Sequence, residues 1–204
     1  MGVDRSGKAW IFFSDGSLHK VDVTTAACSP TGFTYPDVLP FESLNMGSGF
    51  TALGGDAAQE TFFLLRTADG LSTFETGAGN LRETGKLTSA LGELTGGPDG
   101  RLFLFSPIGA PRISEVNTST YALTTLKTFP ASFFSGVHSF AFARYAGAFH
   151  MFTAATSVDT LDTGTTKTTV YDPVKDTVTV RDADVGFTVV GAGQSVCVPP
   201  PVIH

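Results

Sequence analysis

An all-β fold built from four copies of one four-stranded unit is what this 204-residue sequence predicts, and three observations carry it. An aromatic-aliphatic run recurs four times, a turn-forming step follows each run, and a Gly-rich strand of small residues precedes three of the four. Helical periodicity is almost absent, because Gly, Pro or Thr interrupts nearly every three-and-four spacing of apolar residues.

The runs are Trp10-Ile11-Phe12-Phe13, Phe62-Phe63-Leu64-Leu65, Leu102-Phe103-Leu104-Phe105 and Phe149-His150-Met151-Phe152. Each is followed by a turn and a shorter alternating strand that ends on an apolar residue and then an acid or amide: Val21-Asp22, Phe74-Glu75, Val116-Asn117 and Tyr171-Asp172. A tight polar hairpin and a fourth strand come next, the hairpins drawing on residues that tolerate left-handed backbone or bond their own main chain. Ahead of the runs lie Phe50 to Gly55, Glu93 to Gly97 and Ser139 to Ala143, all rich in small residues. The first run has no such strand upstream, and Phe187 to Gly193, at the other end of the chain, is expected to supply it. Four four-stranded units closed by the last strand form a four-bladed β-propeller. Crowded strands near the axis then account for the 23 Gly, and second strands packed between sheets account for the 18 Phe.

A single domain is expected, with blade 1 over about 8–41 plus 187–197, blade 2 over 49–88, blade 3 over 93–130, blade 4 over 138–182 and a loose tail at 199–204. The repeat resembles the β-propeller superfamily, and its blade number is similar to that of hemopexin-like domains. It lacks the WD40 and kelch signatures. Val189 to Cys197 also resembles the ends of uncharacterised exported proteins of predatory soil bacteria. Neither resemblance implies a catalytic residue.

Composition narrows the function classes. Disorder is excluded by 42% hydrophobic residues, and the formal charge of −6 with no basic run argues against nucleic acid or an anionic membrane as partner. No apolar stretch reaches the ~18–20 residues of a membrane-spanning helix. Met1-Gly2 formally begins a myristoylation pattern but runs straight into the first strands, so no lipid anchor is expected. A monomer is expected, with a small molecule, glycan or protein as ligand.

Cys28 and Cys197 are expected to pair across the ring closure, a bridge worth roughly 4–5 kcal/mol in the chain-entropy picture. Two isolated thiols are the alternative. The bridge would imply export to an oxidising compartment, with the signal segment outside this sequence. Glu93 and His138 fall at matching starts of inner strands in adjacent units, where the other two units place Phe50 and Phe187. A carboxylate beside an imidazole at a channel mouth binds a ligand, or a divalent cation that polarises an ester or phosphoester. Glu42, Asp182 and Asp184 lie in neighbouring loops. Phe133 and Phe134 stand in a connection as a recognition platform or an interblade plug, and Asp159 and Asp162 occupy a long polar loop on the same face. His150 reads as an interblade residue, and His19, beside Leu18, as solvent-facing. Asn117-Thr118-Ser119 is explained by its turn, and the Gly-Gly pairs open no helix, so no phosphate loop is present. The expected function is a non-enzymatic binding or scaffold module needing no cofactor, with a metal-assisted hydrolase using Glu93 and His138 as the alternative.

Overall fold

A computed structural model describes residues 1–13, 15–35, 46–53, 59–66, 70–87, 91–155 and 164–197. Four antiparallel four-stranded sheets form a four-bladed propeller. Blade 1 is β1 (Gly2–Val3), β2 (Lys8–Phe12), β3 (Ser17–Asp22) and β4 (Cys28–Thr34), and blade 2 is β5 (Met46–Ala52), β6 (Glu60–Arg66), β7 (Gly70–Glu75) and β8 (Asn80–Gly85). Blade 3 is β9 (Glu93–Gly96), β10 (Leu102–Ser106), β11 (Arg112–Val116) and β12 (Leu123–Thr128). Blade 4 is β13 (Val137–Tyr145), β14 (Ala148–Ala155), β15 (Lys167–Asp172) and β16 (Thr177–Asp182). In every blade the aromatic run is the second strand. No helix among the described residues is long and apolar enough to cross a membrane.

The turn-forming step has a common mechanism. Asp22, Asn117 and Asp172 each accept two backbone N–H bonds through one side-chain oxygen, from the residues two and three positions on, at 2.9–3.2 Å. Four positions after the step, all four blades turn left-handed, at Ala26 (φ 58°), Gly79 (71°), Tyr121 (61°) and Asp176 (50°). Ala26 is exposed and gains nothing from its methyl group. Ala26→Gly is therefore expected to raise stability by about 0.5–1 kcal/mol, relief of left-handed strain outweighing the extra freedom of the unfolded chain; a thermal melt reads this as a small increase in Tm.

Three seams between blades are built alike. Trp10, Leu18, Phe50, Phe62 and Phe74 fill the space between blades 1 and 2, Phe63, Leu65, Leu94, Leu102 and Leu104 that between blades 2 and 3, and Phe103, Phe105, Phe142, Phe149 and Tyr171 that between blades 3 and 4. Aromatic pairs stack or meet edge to face, as at Phe50 and Phe62 (4.3 Å between ring centroids, 9° between planes).

The fourth seam differs, and here the expected closure is corrected. The inner edge of β2 is already taken by β1, through the pairs Gly2 with Trp10 and Val3 with Ala9, so the segment from residue 187 cannot enter the ladder. It runs instead as a strap without strand structure between blades 4 and 1. At the blade 4 end the Ser139 hydroxyl donates to the Val189 carbonyl (3.2 Å), and the Val189 N–H donates to the Thr166 hydroxyl (2.7 Å). At the blade 1 end the Ser195 hydroxyl donates to the Asp4 carbonyl (3.0 Å), and Val196, 1% exposed, enters the cluster around Trp10. Among the described residues no fourth buried apolar cluster fills this seam.

Candidate functional site

Among the described residues, the starts of the inner strands, the face favoured from sequence, do not bring Glu93 and His138 together. Glu93 opens β9 and is 6% exposed. Its carboxylate lies 3.3 Å from the Met1 amine and accepts the Ser48 N–H, so it is shared between the inner strands of blades 2 and 3 and the start of blade 1. Burial pushes its carboxyl up to about 7, against the downward pull of the amine.

His138 is exposed and is not the counterpart of Glu93. Phe105 pairs with Glu93 and Phe152 with Ala141, so the blade 4 residue equivalent to Glu93 is Ala141, three positions further on. The register of β13 slips between Val137 and Ser139, so a bulge falls at His138 and displaces the alignment with β9. Among the described residues no three His, Cys, Asp or Glu side chains stand together as a metal site.

Phe133 and Phe134 form a single turn of 3-10 helix, Ala131–Phe134. Phe134, 4% exposed, packs on Phe105 and Phe129 (5.3 Å each), and Phe133 lies half-buried beneath the Lys167 ammonium (4.9 Å). They plug the seam between blades 3 and 4 rather than form an open platform. Asp184 accepts the Gly186 N–H (2.6 Å) and Asp182 ends β16, so both serve local structure. His150 is half-buried in β14, its imidazole held below the usual range by burial and then by Arg181. Glu42, Asp159, Asp162 and His204 lie outside the described residues.

The expected disulfide is not formed. Cys28 and Cys197 are both free and exposed. Cys28 begins β4, whereas the Cys197 thiol donates to the Arg5 carbonyl (3.7 Å) in the turn between β1 and β2. Neighbouring strands stand ~4.8 Å apart, so a cysteine two to three strands away is separated by roughly 10–14 Å, beyond the ~7 Å Cα limit of a disulfide.

A built site does exist, on the opposite face. A cleft of about 230 Å³ opens between blades 3 and 4, where the β9–β10, β13–β14 and β15–β16 turns converge. Phe103, Phe149 and Tyr171 wall it, and Arg101 and Arg144 reach into it. Both guanidinium groups lie 4.8 Å from the centre of the Phe103 ring, gripping it as cation–π partners. Their orientation is fixed by carboxylates. Arg101 donates from Nε and Nη2 to the two oxygens of Glu115 (2.9 and 2.6 Å), and Arg144 Nη1 donates to Asp99 (2.7 Å). At the Tyr171 end, the Lys127 ammonium and the Tyr171 hydroxyl both donate to Asp176 (2.6 and 3.1 Å). The Arg101 hydrogen bond holds the Glu115 carboxyl below its ordinary range, and the Lys127 bond does the same for Asp176, so these groups stay charged at neutral pH. The site thus alternates donors and acceptors around an apolar wall.

Sequence reasoning passed over Arg101 and Arg144. One signal was available: by register Arg144 occupies the position held by Gly2, Phe50 and Gly96 in the other blades, and it breaks the small-or-apolar rule of that column.

No family model matches the chain, and no curated protein does. Among solved structures it is similar to an exo-β-1,3-galactanase from Phanerochaete chrysosporium, with a TM-score of 0.57 and 9% identity, covering 91% of this chain and 50% of that one. It is also similar to the β-propeller domain of Cps50 (Swd1) from Myceliophteria thermophila (TM-score 0.48, 10% identity, 92% and 56% covered). A third is TolB from Acinetobacter baumannii (TM-score 0.44, 15% identity, 88% and 40% covered). The chain spans half the length of the galactanase and 40% of TolB. These likenesses concern the fold alone.

Proposed function

We propose that this propeller is a non-enzymatic recognition module whose ligand places one small, hydroxylated, flat-faced group, a sugar ring, in the cleft between blades 3 and 4. The observation that carries it is the pair of guanidinium groups clamped at 4.8 Å over Phe103, each already oriented by a carboxylate. Side chains held in this way lose little further freedom when a ligand arrives, so its hydrogen bonds are made at low entropic cost. The rings of Phe103, Phe149 and Tyr171, each 4% exposed or less, give the cleft a rigid apolar floor beneath the guanidinium groups, while Arg101, Arg144 and Tyr171, with Asp99 and Asp176 bonded to Arg144 and Tyr171, suit the hydroxyls of a sugar. The galactanase acts on a sugar, but at 9% identity that likeness adds nothing about this cleft. The metal-assisted hydrolase alternative needs Glu93 and His138 around one cation, and no observation favours it.

Saturation-transfer NMR against a panel of neutral and acidic oligosaccharides tests the reading. Arg101→Ala and Lys127→Ala are each expected to weaken binding about tenfold or more, a loss of roughly 1.4 kcal/mol, while leaving the unfolding midpoint nearly unchanged, because both ion pairs are solvent-screened. A panel that yields no binder at millimolar concentration, or a binder indifferent to both substitutions, overturns it.

A further inference from the structure

We propose that Cys28 and His19, on the face of blade 1 turned away from blade 2, form a base-assisted thiol that takes low-molecular-mass disulfides into a mixed disulfide. The fold brings the two together: β3 and β4 are neighbours, Val21 pairs with Cys28 and His19 with Pro30, so the side chains at 19 and 28 are diagonal on one sheet face. Trp10 and Leu18 point from the other face into the seam with blade 2. The Cys28 sulfur stands 3.7 Å from His19 Nδ1 and is exposed.

Which nitrogen faces the sulfur as a base is fixed by a chain of hydrogen bonds with one allowed polarity. Asp15 can only accept, because the hydroxyl and the backbone amide of Ser17 hold its carboxyl ionised, below the ordinary range. Ser17 therefore donates its hydroxyl to Asp15 (2.6 Å) and offers a lone pair to His19 Nε2 (3.2 Å). Nε2 must then carry the proton in the neutral ring, and Nδ1, facing Cys28, presents a lone pair. The Phe13 ring packs edge-on against the imidazole at 4.6 Å and fixes its plane. Cys197 is the natural contrast within the same molecule. Its neighbour is the Arg5 carbonyl, which accepts from the S–H and offers no base of the imidazole kind.

In the reaction the Cys28 proton passes to His19 Nδ1 as the sulfur electron pair attacks one sulfur of R–S–S–R. The disulfide bond of the reagent breaks, Cys28–S–S–R forms, and the departing thiolate takes the proton back from the imidazolium.

Dithiodipyridine, a small neutral disulfide whose released thione absorbs light, tests this on the whole chain. Two phases are expected, with Cys28 reacting about tenfold or more faster than Cys197, as general-base help by a positioned imidazole is worth at least that much. The Cys28→Ser variant loses the fast phase. His19→Gln brings the two rates within about twofold of each other, and Ser17→Ala, which leaves the pair in place but releases the tautomer, slows the fast phase severalfold. Circular dichroism confirms that each variant is folded. Equal rates for the two thiols in the unmodified protein, or a fast phase unchanged in both His19→Gln and Ser17→Ala, overturns the proposal.

Discussion

Replacing Gly96 with valine is expected to prevent folding or to cost at least about 3 kcal/mol, the upper range for overpacking, because the clash is with main chain that cannot rotate away. A Cβ at Gly96 would meet the Phe50 carbonyl oxygen head on and lie 2.7 Å from both the Phe50 carbonyl carbon and Thr51 Cβ. Gly96 ends the inner strand of blade 3, and Phe50 and Thr51 belong to the inner strand of blade 2. The same approach is seen from the other side, where a Cβ on Gly49 would stand 3.0 Å from Thr95 Cα. Nothing local relieves this contact; blades 2 and 3 must separate, which opens the Leu94 cluster between them and pulls the Thr51 hydroxyl from the Gly97 carbonyl (3.1 Å). Urea unfolding measures the loss, with Gly96→Ala as the graded form. Gly77→Ala, in a blade 2 turn with nothing within 4 Å of the added methyl, is the expected near-neutral control. A Gly96→Val protein as stable as that control would mean that the inner strands are not in contact as described.

Those glycines show why the blades were legible in the sequence and the site was not. Small inner strands, aromatic second strands and an Asp or Asn at the last hairpin are each dictated by forces acting within one blade or one seam, and they repeat, so aligning the runs at Trp10, Phe62, Leu102 and Phe149 exposes them. The hairpin step even survives a change of chemistry: Glu75 replaces the short side-chain acceptor, and Gly79 supplies the left-handed residue without strain. Register is different. Aligning His138 with Glu93 ignored the bulge at Val137–Ser139, whose presence depends on how β13 lies against β14. The assignment of 187–193 as the closing strand missed the competition from Gly2–Val3, two residues too few to read as a strand. The Cys28–His19 pair depends on a diagonal across two strands nine residues apart, and the cleft on three turns from two blades. Neither leaves a local pattern.

Glu93 gives the second large effect, and its sign is set by burial. In the unfolded chain its carboxyl titrates near 4.5, and in the fold near 7, so between those values the folded state holds the proton that the unfolded state has released. The stabilisation from the protonated form is fully present below about pH 4.5 and is lost as pH rises through about 7, a change of about 3 kcal/mol for a shift of this size. The Met1 amine already opposes the shift, so it does not cancel the effect. Glu93→Gln keeps the shape and the Ser48 hydrogen bond without the charge. It is expected to be more stable than the unmodified protein at pH 8, with the advantage shrinking towards zero by pH 4.5. His150 works in the other direction, since burial holds it neutral and its contribution grows as pH rises, but it is common to both proteins and drops out of their difference. Urea midpoints of the pair, taken from pH 4.5 to 8, decide the matter. A difference that is flat with pH would mean that the carboxylate is ionised in the fold throughout, held by the amine at 3.3 Å as a buried ion pair instead of a proton-binding acid.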